Sequence, residues 1–125
     1  MKNKHYNEQE LFWKNKFGND YSKRKSHDPI KSLINLFNKI FQNTKKINSI
    51  IEFGPNIGRN IHAIKKKLPR CQFTGVEINK LACQKLKKIK NLEIINKSIL
   101  AFESNNKYDL VLIKNVLIHI NTNSL

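Results

Sequence analysis

Apolar and polar positions split the chain into a helical front and a longer section in which strands alternate with helices. Residues 8–17 (EQELFWKNKF) gather Leu11, Phe12, Trp13 and Phe17. They predict a short helix with an aromatic face, stopped by Gly18. Residues 19–28 are polar and read as a loop. Asp28 followed by Pro29 has the form of an N-cap and a first-turn proline. Ile30, Leu33, Ile34, Phe37, Ile40 and Phe41 then recur at helical spacing and predict an amphipathic helix to Gln42. At Ile47 the period changes. Residues 47–53 (INSIIEF) form a short apolar run that ends at a glycine, which predicts a strand. Residues 59–67 follow as a helix, with Ile57, Ile61, Ile64 and Leu68 on one face and Pro69 at its end. Residues 72–78 predict a second strand, residues 80–89 a helix packing through Ala82, Leu86 and Ile89, and residues 92–95 a third strand. At most a short helical turn precedes the polar stretch 103–107. Residues 108–113 (YDLVLI) predict a fourth strand, and 116–120 begin a further helical or loop segment. Strands that alternate with helices imply right-handed crossovers and a mostly parallel sheet, an α/β fold.

Composition changes this picture little. The 125 residues suit one domain at most, small for an α/β enzyme. No apolar run approaches the ~20 residues of a membrane helix. The polar start, Met1 to Glu10, has no apolar h-region, so a cytoplasmic protein is expected. Cys71 and Cys83 match neither a metal-ligand spacing nor a disulfide framework and read as small semi-buried hydrophobes. The net charge of +15 raises nucleic acid as a partner. Against that, the excess is almost all lysine, scattered, with Arg24, Arg59 and Arg70 the only arginines. Lysine, asparagine and isoleucine share A/T-rich codons, so a low-GC genome yields the same bias. A solvated face is the commoner fate of such lysine runs, and nucleic acid is not the expected partner.

The junction Glu52-Phe53-Gly54-Pro55-Asn56-Ile57-Gly58 is the most informative segment. Gly54 and Gly58 permit a sharp turn and close approach of a ligand, and the following helix offers unpaired N–H groups. By itself such a loop is also an ordinary strand-to-helix turn. Glu77, at the end of the second strand, can accept both hydroxyls of a ribose, and the two features together predict a nucleoside cofactor. A dinucleotide loop would read G-x-G-x-x-G, but position 56 is asparagine. Glu52, two residues before Gly54, instead resembles the acid-x-Gly-x-Gly-x-Gly pattern of class I S-adenosylmethionine-dependent methyltransferases, which the chain leaves only at Asn56. Tyr108-Asp109-Leu110-Val111 resembles a further strand of that fold.

Three blocks carry a narrower resemblance: EQELFWKNKFGNDYSKR, IIEFGPNIGRNIHAI and YDLVLIKNVLIHIN. They are similar to the methyltransferases associated with pseudaminic acid biosynthesis. Trp13, Phe17, Gly18, Tyr21 and Arg24 fit that family, as do Asn56 and Asn60, while Lys25 replaces an asparagine. The resemblance implies a Rossmann-like class I methyltransferase fold, with residues 1–46 as a helical extension and residues 47–125 as the first part of the S-adenosylmethionine-binding domain. It implies Glu52, Gly54, Asn56 and Gly58 around the methionine and ribose of the cofactor. Glu77 would hold the ribose, Ile78 would pack on the adenine, and Ser98 and Ile99 would lie at its edge, with serine where many relatives have aspartate. Asn115 is expected near the methionine end, and Asn115 and His119 are candidates beside the reaction centre. On an apolar stretch His119 equally reads as a structural histidine. Trp13, Phe17 and Tyr21 would either cover the cofactor or simply pack the first helix onto the body. The acceptor implied is a small molecule or sugar.

The class I sheet has seven strands and four are counted here, so the chain reads as the front of such a domain, a truncated product or a fragment needing a partner. The fourth strand would then be an apolar edge open to self-association. A non-catalytic cofactor-binding module and a basic nucleic-acid-binding protein are the rival readings.

Overall fold

The computed structural model describes residues 6–24 and 30–125. Helix α1 (Glu8–Lys14) begins with a capping box: the Asn7 side chain accepts from the Glu10 amide at 2.8 Å, and the Glu10 carboxylate accepts from the Asn7 amide at 2.7 Å. The chain breaks at Asn15 and resumes as α2 (Lys16–Lys23). Gly18 therefore does not stop the first helix. It lies inside a second one, and residues 19–23, read as loop, are helical. The physical reason is close approach. A Cβ on Gly18 would fall 1.7 Å from the Trp13 carbonyl oxygen, so only glycine lets α2 fold back against the end of α1. That tertiary requirement outweighs the ~1 kcal/mol that glycine costs a helix. The proposed cap at Asp28 and Pro29 lies outside the described residues.

Helix α3 (Ile30–Phe41) leads into β1 (Ser49–Phe53), α4 (Arg59–Lys67), β2 (Gln72–Val76), α5 (Lys80–Leu86), β3 (Leu92–Ile95) and β4 (Leu110–Ile113). The four strands form one parallel sheet in the order β3-β2-β1-β4. Short 3₁₀ turns occupy Ile99–Ala101 and Leu117–His119. Strand and helix order follow the predicted pattern, and several elements are shorter. The strand expected over 108–113 starts only at Leu110, because Asp109 is used otherwise. Its Oδ2 accepts from the amides of Asn48 (2.7 Å) and Ser49 (3.1 Å), clamping the start of β1.

One face of the sheet carries the core. Ile50 and Phe73 sit side by side in register and pack with Ile61, Ala63 and Ile64 of α4 and with Phe37 and Phe41 of α3. Each fully buried side chain of this kind contributes roughly 1.5–3 kcal/mol. The segment between β3 and β4 lies on the other face, where Phe102 meets Phe53 edge-on at 5.4 Å. That face is thinly covered toward β4, where Val111 is 55% exposed. Beyond β4, Ile118 is 78% exposed. No helix among the described residues is long and apolar enough to cross a membrane.

Candidate functional site

Parallel strands point their carboxyl ends the same way, and the chain leaves them there through a glycine loop and two helix starts. At the end of β1, Gly54 (φ +69°), Asn56 (φ +50°) and Gly58 (φ +86°) take left-handed conformations. The turn is tied to β2 by the Gly54 amide, which donates to the Val76 carbonyl at 2.8 Å. It leaves no room at Gly54, where a Cβ would stand 2.5 Å from Cγ2 of Val116. Asparagine tolerates the left-handed region better than most residues, so Asn56 serves where the general glycine pattern breaks.

Two carboxylates converge on this loop with different surroundings. Glu77, just past β2, is buried. Its Oε2 accepts from the Asn56 amide (2.8 Å) and its Oε1 from the Asn79 amide (2.9 Å). Burial pushes its pKa up, and the amides of Asn79, Asn56 and Ile78 oppose that rise. Glu52 is 1% exposed. Its Oε1 accepts from Nδ2 of Asn60 at 2.6 Å, while Oε2 is buried without a hydrogen-bond partner. Burial raises its pKa to about 7; the Asn60 amide opposes, the nearby charge of Glu77 adds, and Lys114 lowers. Asn60, also singled out by the sequence pattern, thus holds Glu52 from the first turn of α4.

These groups border a cleft of about 980 Å³. Gly54, Asn56, Glu77, Ile78, Ser98, Ile99, Asn115 and His119 all line it. Glu52 and Gly58 do not. Glu52 sits behind Asn60, which does line it, and Gly58 closes the loop against Leu86 and Ile89. Ser98 is buried, and its hydroxyl accepts from the Leu100 amide at 3.2 Å, starting the 3₁₀ turn that presents Ile99. Asn115 takes φ +59°, turning the chain out of β4. Trp13, Phe17 and Tyr21 line the opposite wall. The Trp13 ring also packs on the His119 ring at 4.7 Å, so the cluster lines the cleft and docks onto the body. Among the described residues no cluster of His, Cys, Asp and Glu could hold a metal.

Sequence reasoning missed Asn79. It caps α5 by accepting from the Ala82 amide at 2.9 Å, and its Nδ2 donates to Trp13 O (3.1 Å), Lys14 O (3.1 Å) and Asn19 Oδ1 (2.9 Å). The cap was detectable as an asparagine before a helical run. The contacts to residues sixty or more positions away were not.

A parallel α/β domain with a glycine loop and a buried acid at successive strand ends defines a nucleoside-cofactor-binding class. Comparison with known proteins narrows this. The methyltransferase-domain family matches residues 51–124, and the chain belongs to that family. Among solved structures it is similar to the plantazolicin methyltransferase BpumL in complex with SAH, at 26% identity and TM-score 0.65, covering 84% of this chain and 44% of that one. It also resembles the magnesium protoporphyrin IX methyltransferase ChlM from Synechocystis PCC 6803 with bound SAM (11% identity, TM-score 0.64, 97% of this chain and 68% of that one). Coclaurine N-methyltransferase bound to N-methylheliamine and SAH shares the fold as well, at 16% identity and TM-score 0.59 over 72% of this chain and 29% of that one. The chain thus spans 44% of the length of the plantazolicin methyltransferase. No curated protein matches it. The observed sheet is that of a Rossmann-like methyltransferase fold.

Proposed function

We propose that this chain binds S-adenosylmethionine in the cleft and serves methyl transfer to a small-molecule acceptor. The observation that carries this is Glu77. A carboxylate offers about four lone-pair positions, and backbone amides of Asn56 and Asn79 occupy one on each oxygen. The Ile78 amide lies close as well, and the carboxylate borders the cleft, so its remaining lone-pair capacity can accept neighbouring hydroxyls, as a ribose presents. Ile78, Ser98 and Ile99 then border the space for a base, and Gly54 and Asn56 the space for the amino acid end. The carboxylate of Glu52, held by Asn60, favours an ammonium there.

When bound, the cofactor would supply an activated methyl group on a sulfonium for transfer to an acceptor. The protein's part is chiefly alignment, which can provide several kcal/mol (~7–11 at best) of barrier reduction. Asn115 and His119 line the same cleft and would stand beside the reacting groups. The His119 imidazole, positioned by Trp13, can take a proton from an acceptor hydroxyl. The resemblance of three sequence blocks to the pseudaminic acid-associated methylases favours a sugar-type acceptor, and the Asn60–Glu52 bond gives a physical use to one of the asparagines in that pattern.

Isothermal titration of the chain with S-adenosylhomocysteine tests the cofactor reading. Saturable one-to-one heat is expected. A folded chain that gives no heat and no thermal shift rules the reading out.

A further inference from the structure

Asn79 connects two parts of the molecule that the sequence keeps far apart. Its backbone amide donates to Oε1 of Glu77 on the cleft floor. Its side-chain Oδ1 caps α5. Its Nδ2 donates to the carbonyls of Trp13 and Lys14 and to the Asn19 side chain, at the break between α1 and α2. An amide nitrogen has two hydrogens, so one is shared among these three acceptors. The residue is 3% exposed, so water does not compete for these bonds. Gly18 presses on the same point, for a Cβ there would fall 2.7 Å from Nδ2 of Asn79. A second tie is lateral: Lys85 Nζ donates to the Ser22 carbonyl at 2.6 Å. The wall so held carries Trp13 against His119.

We propose that Asn79 is a positioning residue for the cleft: it docks the aromatic wall of α1 and α2 over the site and couples that docking to occupancy at Glu77. The proposal rests on the reading of the cleft as a cofactor site. A ligand that fixes Glu77 fixes the Asn79 backbone, and through it the wall. Linkage makes the effect reciprocal, so a wall that is docked strengthens the ligand.

Asn79→Asp separates the two jobs of the side chain. Aspartate caps α5 as well as asparagine does, but it cannot donate to the three oxygens at the helix break. Asn79→Ser also keeps a capping oxygen for α5, but its side chain is too short to reach the helix break. Trp13 is the sole tryptophan, so its emission reports wall docking directly. In the wild type, S-adenosylhomocysteine should shift that emission. In Asn79→Asp, emission should move toward that of exposed tryptophan, the ligand should no longer shift it, and affinity by titration should fall on the order of 10-fold while far-UV dichroism is retained. If Asn79→Asp does not fold, Asn79→Ser carries the same expectations. A folded variant that keeps wild-type affinity and the wild-type Trp13 response overturns the proposal. Failure of the wild type to bind S-adenosylhomocysteine overturns the cofactor reading instead, and unchanged Trp13 emission in the unliganded variants then overturns the docking role as well.

Discussion

The two ends of β1 put the same kinds of group to opposite uses. At the amino end, Asp109 is exposed to solvent and accepts from the amides of Asn48 and Ser49, and those hydrogen bonds hold its carboxyl below the ordinary range. At the carboxyl end, Glu52 is buried, half of its carboxylate has no partner, and its pKa is raised to about 7. The backbone differs in the same sense, with Gly54, Asn56 and Gly58 left-handed within five residues of the end of β1. A satisfied acid beside a relaxed backbone is spent on stability. A buried acid with an unpartnered oxygen, beside a left-handed turn, costs stability, and such groups are commonest at functional sites.

The largest effect that sharpens this contrast is in pH. The folded pKa of Glu52, about 7, lies above its ordinary 4.5, so the folded state holds the proton more tightly. Its contribution to stability is complete below pH 4.5 and is lost as pH rises through 7. Urea unfolding of the unliganded chain should show a decline of up to about 3 kcal/mol across that window. Glu52→Gln should flatten most of it, leaving the part that Glu77 contributes in the same direction. An unchanged slope in the variant would mean that Glu52 is not the group responsible.

Next comes Glu77→Ala. It removes a carboxylate that accepts from the Asn56 and Asn79 amides and the proposed seat of the ribose hydroxyls, so affinity for S-adenosylhomocysteine should drop by about 2–3 kcal/mol, some 30- to 150-fold, by titration. An affinity within a factor of two of wild type would remove Glu77 from the site. Gly54→Ala should cost about 1–2 kcal/mol of stability, because φ +69° is unfavourable for alanine and Val116 must move. Retention of both stability and binding in that variant would contradict the requirement for glycine in this left-handed turn. The smallest effect belongs to the amino end. Asp109→Ala should lower the unfolding midpoint slightly and leave ligand affinity alone. The sign with pH is opposite to that of Glu52: a depressed carboxyl supports stability above its ordinary pKa of 3.8 and loses that support as pH falls through its lower folded value.

Much of this was legible in the sequence because it is local. The loop from Glu52 to Gly58 announces its turn through two glycines, and α4 shows its buried face through Ile61 and Ile64 at helical spacing. Glu77 was legible because it follows an apolar run directly. What stayed hidden depends on residues distant in sequence. Gly18 reads as a helix stop unless the Trp13 carbonyl 1.7 Å from its missing Cβ is known. Asp109 reads as a strand residue or a family mark, and only the sheet brings it to Asn48 and Ser49 across sixty positions. Asn79 reads as a helix cap, while its side chain spends its donors on α1 and α2. Asn60 was noticed through a pattern, but its bond to Glu52 became a reason only when α4 was seen to face that side of β1.

Amide NMR of the chain titrated with S-adenosylhomocysteine tests the contrast between the two ends most directly. The resonances of Gly54, Asn56, Gly58 and Asn79 should shift saturably, while those of Asn48, Ser49 and Asp109 stay in place. Shifts confined to the Asn48–Ser49 end, or no shifts in a well-dispersed spectrum, would contradict the assignment of the carboxyl end of β1 as the cofactor site.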